Sequence, residues 1–349
     1  MIKTFQQLRL IDNPSPDEIG ESIQDFLIWL GGPVAIRISG KDSTRTRAIC
    51  TLLHGNEPSG TEAIFQYIKS AEAPLVDAWF IIASVDAARK EPLFTNRMMP
   101  EKRDLNRCFG GPFNDDQGKL AKSILDFVHH IKPECLIDIH NTSGSGPAFG
   151  VAIIDDKNHA ALTSLFSNDL IVTDLRLGAL MELSESDVPT VTIECGGVKD
   201  YSAGVIALEG LSRYLSTEHV LAQADIEYRV NIFHNPIRLE LKMKAKGHGK
   251  ETSCVAYHDK PDSQAIITLP AQAEKFNYGT LTPEEPIAYL NADGFTQLTA
   301  KDHLGNEYLD VFFEEKEGQL FAKHPMKIFM ATTSPFIAET DCLFYFIGC

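Results

Sequence analysis

The seven cysteines of this 349-residue chain make neither a disulfide framework nor a cysteine-based metal knuckle. They are odd in number, irregularly spaced and include no C-x-x-C pair. No apolar stretch approaches the ~20 residues that a membrane-spanning helix requires. The opening segment, MIKTFQQLRLIDNPSPDEIG, has no apolar core of signal-peptide length. Positive charge is also scarce: 32 Lys and Arg stand against 48 Asp and Glu, a formal charge of −16. Nucleic acid and anionic membranes, which need basic surfaces, are therefore not expected partners. No internal repeat or low-complexity segment interrupts the chain. With 44% hydrophobic and 23% charged residues, an ordinary globular protein of the reducing cytoplasm is expected. Assembly into a homo-oligomer is left open.

Strand-like and helix-like patterns alternate along the first two thirds. Val34 to Ser39, Thr46 to Leu53, Ala78 to Ser84, Cys135 to Ile139, Phe149 to Ile154 and Thr190 to Ile193 read as buried strands. Thr61 to Ser70, Gln117 to Ile131, Asn158 to Phe166 and Tyr201 to Leu215 read as helices with one apolar stripe. This alternation predicts an α/β fold, a mixed and mostly parallel sheet covered by helices on both faces. From about Glu227 the pattern changes to short alternating runs broken by Gly, Asn and Pro, such as Arg238 to Met243, Gln264 to Leu269 and Met326 to Ala331. Those runs predict a smaller β-rich C-terminal domain. The expected division is 1–222 for an α/β catalytic domain and 223–349 for the β-rich one.

Four scattered segments carry the chemistry. His54 follows the apolar run Thr46 to Leu53, and Glu57 lies three residues on, before Ser59-Gly60-Thr61-Glu62, which reads as a capping box opening a helix. Both residues then occupy a strand-to-helix turn, the crevice where open α/β sheets bind ligands. A second run, Cys135 to Ile139, delivers His140 to a strand end. Two neutral imidazoles and one carboxylate leave a fourth tetrahedral position open, the pattern of a catalytic zinc site with one zinc per chain. A third run, Val188 to Ile193, leads into Glu194 and then Cys195-Gly196-Gly197. Glu194 is the candidate general base, taking a proton from the attacking water and passing it to the leaving nitrogen. The segment Arg97 to Arg107 is rich in cations in an acidic chain. There Asn106 and Arg107 would clamp a substrate carboxylate, and a second arginine would hold the developing oxyanion. Cys108 and Cys195 lack an evident base and read as small buried residues. Gly247-His248-Gly249 reads as a surface loop and not a second metal site.

HGNEPSG at His54 to Gly60, DLNRCFGG at Asp104 to Gly111, IDIHNTSGSG at Ile137 to Gly146 and TIECGG at Thr192 to Gly197 together resemble the succinylglutamate desuccinylase/aspartoacylase family, a branch of the zinc-carboxypeptidase-like fold. The resemblance implies zinc on His54, Glu57 and His140, a carboxylate clamp of Asn106 and Arg107, and Glu194 as base. It also implies an arginine that polarises the scissile carbonyl, best aligned with Arg97 and with Arg103 as rival. Three positions depart from the family pattern. Ala83-Ser84-Val85-Asp86 stands where an Asn-Pro pair is common. Val311-Phe312-Phe313-Glu314 offers no phenolic hydroxyl where aspartoacylases use a tyrosine. Arg176 is only loosely placed as a further substrate-binding arginine.

The expected activity is zinc-dependent hydrolysis of the amide bond in an N-acyl amino acid or similar small carboxylated amide. Two other readings remain open from sequence: a metallocarboxypeptidase acting on a peptide or cell-wall fragment, and a non-catalytic protein that retains zinc to bind a carboxylated ligand.

Overall fold

Strand parity organises the larger of the two units into which the chain divides. The computed structural model describes residues 5, 7–186, 188–242 and 254–348, so Gly247-His248-Gly249 lies outside the described residues. Met1–Asn141, Ala148–Val172 and Arg176–Ile232 form one unit; Thr142–Pro147, Thr173–Leu175 and Phe233–Cys349 form the other.

The first unit runs β1 (Arg9–Asp12), α1 (Ile23–Leu30), β2 (Val34–Ile38), β3 (Asp42–Thr51), α2 (Ser59–Lys69), β4 (Val76–Ile82), α3 (Val85–Arg89), α4 (Asp116–Ile131), β5 (Leu136–Thr142), β6 (Phe149–Ala152), α5 (Lys157–Ser164), β7 (Asp169–Val172), β8 (Thr190–Gly197) and α6 (Tyr201–Ser216). With β9 (Asn231–His234) the strands make a nine-stranded sheet in the order β1-β2-β4-β3-β5-β8-β6-β7-β9. Pairing is parallel for β1 with β2, β3 with both β4 and β5, and β6 with β7. It is antiparallel for β2 with β4 and β6 with β8, so the sheet is mixed as expected. β3, β5 and β8, the strands nearest the motif residues, are neighbours at its centre.

Successive side chains on a strand point to opposite faces, and each face has its own core. Ile36, Ile49, Phe80, Ile137, Ile139 and Ile193 pack with Phe26, Ile64 and Leu211 from α1, α2 and α6. Ala35, Ala48, Cys50, Ile81 and Leu136 pack with Leu120, Ile124 and Phe127 of α4. The helices have identifiable ends. Asp115 opens α4 by accepting a hydrogen bond from Gly118 N, and Lys132 closes it in the left-handed region just before Pro133. The last carbonyls of α6 are satisfied from another segment: fully buried Arg47 donates to Tyr214 O and Thr217 O and pairs with Glu134.

The capping box read at Ser59 to Glu62 does not form. Helix α2 begins at Ser59, two residues early, Pro58 at its N-cap makes no side-chain bond, and Thr61 Oγ1 is buried without a partner among the described residues. Two functional strands also run further than their apolar cores suggest. β5 continues through His140 to Thr142 and β8 through Glu194 to Gly197, so both residues lie within strands instead of beyond them.

The second unit contains two five-stranded sheets. One has Thr280–Leu281, Met326–Phe329, Phe344–Gly348, Ile237–Leu241 and Leu298–Lys301 in that order. The other has Val255–Tyr257, Ile267–Leu269, Pro286–Leu290, Gln319–Ala322 and Phe313–Lys316. A single core, including Leu239, Ile267, Phe313, Ile328 and Phe346, joins them.

Candidate metal and active site

Asp138, His140 and Glu194 lie at even positions on adjacent strands, on the opposite parity from Ile137, Ile139 and Ile193, which pack beneath α2 and α6. The polar residues therefore share the other face of the sheet. His54 and Glu57 come from the turn that joins β3 to α2. This turn is held in a demanding conformation, because fully buried Leu52 has φ +58°, a region costly for a residue with a Cβ. Ser84, at the end of β4, secures it: Ser84 N donates to Leu52 O at 2.7 Å and Ser84 Oγ to Leu53 O at 3.0 Å. Gly55 N adds a bond to Arg97 O at 2.8 Å. Ser84 occupies the place where the family pattern has its Asn-Pro pair.

His54, Glu57 and His140 are brought together. Their candidate ligand atoms all lie within 4.8 Å of one another, the one such group among the described residues. His54 Nδ1 is 2.8 Å from Glu57 Oε1, and His140 Nδ1 is 2.7 Å from Glu57 Oε2. The far ring nitrogens have carboxylates of their own. His54 Nε2 is 3.0 Å from Asp104 Oδ1, and His140 Nε2 is 2.8 Å from Asp138 Oδ2. Metal-binding histidines are characteristically oriented by such carboxylates on the non-ligating nitrogen. Asp138 and His140 meet because they are two residues apart on one strand; Asp104 arrives from the loop after Arg97. Neither Asp was assigned a role from sequence, although D-x-H on a strand is a same-face pattern.

The donor set suits a dication. Burial alone would push both imidazoles down. Glu57 with Asp104 raises His54, and Asp138 with Glu57 raises His140 further. Burial would raise the Glu57 carboxyl, but the two imidazoles hold it below the usual range; His54 and Arg97 do the same for Asp104. Two imidazole nitrogens and a carboxylate thus gather in one buried group, a donor set that a cation can occupy. A further observation points to a missing polar partner: Glu194 Oε2 is buried and has no hydrogen-bond partner among the described residues. Burial pushes the Glu194 carboxyl up to about 7, against the pull of His140 and with the help of Glu57. His54, Glu57 and His140 fit a zinc ion by ligand type, number and supporting carboxylates.

The cationic segment separates into distinct roles. Arg97 Nη2 is 2.9 Å from Asp104 Oδ2 and 2.7 Å from His54 Nε2, with Nη1 at 3.4 Å from Glu57 Oε1, so this side chain joins the cluster. Arg103 does not. It is engaged by Asp115 at 2.5 and 2.8 Å and donates to Pro112 O. Buried Asn106 uses its Oδ1 to accept from Leu180 N at 2.9 Å, which leaves Nδ2 as the group it can offer a ligand. Arg107 is exposed, donates to Asn106 O at 2.8 Å and helps lower Asp104. Arg176 pairs with Glu185. Phe313, within the stretch where aspartoacylases place a tyrosine, is wholly buried in the core of the second unit. Cys108 and Cys195 are fully buried, and burial raises both thiols.

The α/β sheet thus bears a His-Glu-His cluster at its central strands, with the half-buried Glu194 carboxylate alongside. Residues 43–216 match the family model described as the succinylglutamate desuccinylase/aspartoacylase catalytic domain. The chain belongs to the succinylglutamate desuccinylase/aspartoacylase family. Solved structures with the same fold include a succinylglutamate desuccinylase from a Silicibacter species, at 15% identity and TM-score 0.56, covering 90% of this chain and 88% of that one. A product-bound ectoine utilization protein from Ruegeria pomeroyi is similar at 13% identity and TM-score 0.55, covering 89% and 86%. A succinylglutamate desuccinylase/aspartoacylase from Rhodobacter sphaeroides matches at 12% identity and TM-score 0.55, covering 90% and 87%. None of the curated proteins matches the chain.

Proposed function

We propose that this protein is a zinc-dependent hydrolase that cleaves the amide bond of an N-acyl amino acid or a similar small carboxylated amide. The observation that carries the reading is the convergence of His54 Nδ1 and His140 Nδ1 on Glu57, beside the unpartnered carboxylate oxygen of Glu194. His54, Glu57 and His140 would hold one zinc, whose chemistry is Lewis-acid polarisation of water and of the amide carbonyl.

The remaining work falls to the chain's own residues. Asp138 fixes the tautomer and direction of the His140 imidazole by taking its Nε2 hydrogen, and Asp104 with Arg97 holds the His54 ring from its Nε2 side. Glu194 accepts a proton from the attacking water and returns it to the amide nitrogen as the C–N bond breaks, leaving a carboxylic acid and an amine. Its raised affinity for protons, caused first by burial, suits a group that must both take and release one near neutral pH. Arg97, beside the ligand set, supplies fixed positive charge where the carbonyl oxygen becomes anionic. Asn106 Nδ2 and the exposed guanidinium of Arg107 offer only donors, the complement of a carboxylate, and would hold the amino-acid end of the substrate.

Glu194→Gln tests the assignment. The amide keeps the shape and removes the base, so the variant is expected to keep its zinc and lose about two or more orders of magnitude in turnover. Wild-type turnover with stoichiometric zinc in this variant would sink it.

A further inference from the structure

We propose that Asn141 is a positioning residue of this site, its amide clipping the general-base strand and the first turn of α2 to the strand that carries His140. The proposal rests on the functional reading above and concerns how that geometry is held. Strand parity sends His140 and Asn141 to opposite faces of β5. Asn141 is therefore turned away from the cluster, on the side shared with Ile137 and Ile139, and only 3% of it is exposed.

Every polar atom of the buried amide is used. Asn141 Oδ1 accepts from Ser59 N at 3.1 Å; Nδ2 donates to Ser59 Oγ at 2.9 Å and to Gly196 O at 3.1 Å. The Asn141 backbone N donates to Glu57 Oε2 at 3.3 Å. The segments supplying Glu57, His140 and Glu194 thus meet at one residue. Helix α2 depends on this contact because its first N–H groups have no intrahelical acceptor and Pro58 caps none of them. Asn141 acts as the missing cap from a different strand.

Two glycines make the approach feasible. A Cβ on Gly60 would lie 2.1 Å from Thr51 Oγ1 and 2.9 Å from Ile139 Cβ, so α2 begins as close to β3 and β5 as a bare backbone allows. Gly196 has φ +111°, where a side chain is strained, and its carbonyl is the one that accepts from Asn141. Gly196 stands two residues from Glu194 on β8. Releasing that carbonyl frees the strand end that aims the base, and general-base chemistry tolerates little misplacement.

The test uses the full-length protein, zinc-loaded and metal-stripped, as wild type, Asn141→Ala and Asn141→Asp. The readouts are zinc affinity by chelator competition, kcat and KM on the N-acyl amino acid the wild type turns over fastest, and melting of the metal-stripped protein. The aspartate variant keeps the volume and can keep both Ser59 bonds, yet sets a carboxylate oxygen against Gly196 O. Its kcat is expected to fall about 10–100-fold, the usual scale for loss of outer-shell support, with KM unchanged and zinc retained. The alanine variant is expected to lose zinc affinity by about 10–100-fold as well. A role confined to stability would lower the melting temperature of the metal-stripped variants and leave kcat and zinc affinity per folded molecule at wild-type values, and that result overturns the proposal. If the alanine variant does not fold, the aspartate variant decides alone, since wild-type kcat there also overturns it. A wild type that binds no zinc would overturn the functional reading and this proposal with it.

Discussion

Two arginines six residues apart show how strongly a side chain's partners decide its use. Arg97 and Arg103 are rivals in sequence, since either could be spaced to polarise a carbonyl. Arg103 is held by the Asp115 carboxylate and Pro112 O, whereas Arg97 touches His54, Glu57 and Asp104. Arg97→Ala is accordingly expected to lower kcat by about 10²–10³, the scale of one oxyanion-stabilising donor. Arg103→Ala is expected to leave kcat unchanged, with steady-state kinetics on both variants as the check; the opposite ranking would reverse the assignment. His54, Glu57, His140 and Glu194 were legible because each residue type is chemically restrictive and sits beside an apolar run. Asp104, Asp138 and Asn141 stood in the same motifs without an assigned role. Their significance depends on which ring nitrogen or backbone group they reach, and that is set by distant segments. For Asp138 the D-x-H alternation was a usable signal; for Asn141, whose partners are Ser59 and Gly196, one strand's pattern carries none.

At the level of elements, strong apolar periodicity was the readable part. The six strands and four helices read in the first two thirds all exist, with ends displaced by a few residues. The displacements have physical causes. Polar His140 and Glu194 continue their strands because backbone pairing does not require apolar side chains, and α2 starts early because Asn141 replaces the cap Ser59 was expected to supply. β1 and α1 were not read. β1 is short and mostly exposed, while α1 has a clear start and stop in Ser22, whose side chain accepts from Asp25 N, and left-handed Gly31. A complementary prediction concerns the end of α4, where exposed Lys132 occupies φ +49°. Lys132→Gly removes a left-handed penalty of ~1–2 kcal/mol and restores ~0.5–1 kcal/mol of unfolded-chain freedom. A net gain of roughly 0.5 kcal/mol is expected, measured by chemical denaturation. A loss of stability would show that the left-handed turn is not strained there.

For the whole molecule, the alternation of strand-like and helix-like runs in the first two thirds matches the mixed sheet with helices on both faces, and the short alternating runs beyond Glu227 match the β-rich sheets toward the C-terminus. The second unit also includes Thr142–Pro147 and Thr173–Leu175, short excursions from the first two thirds that no local pattern marks. No helix among the described residues is long and apolar enough to cross a membrane. With a formal charge of −16, an anionic substrate must be drawn in by local donors, and Arg97, Asn106 and Arg107 are the local donors proposed. The central claim is that His54, Glu57 and His140 hold one catalytic zinc. Elemental analysis of wild type and His140→Ala, with hydrolysis of an N-acyl amino acid panel on the same samples, tests it most directly. About one zinc per chain is expected in the wild type, as for a single three-ligand site, with zinc and turnover lost together in the variant. A wild type without zinc, or a variant that keeps both, would contradict the account.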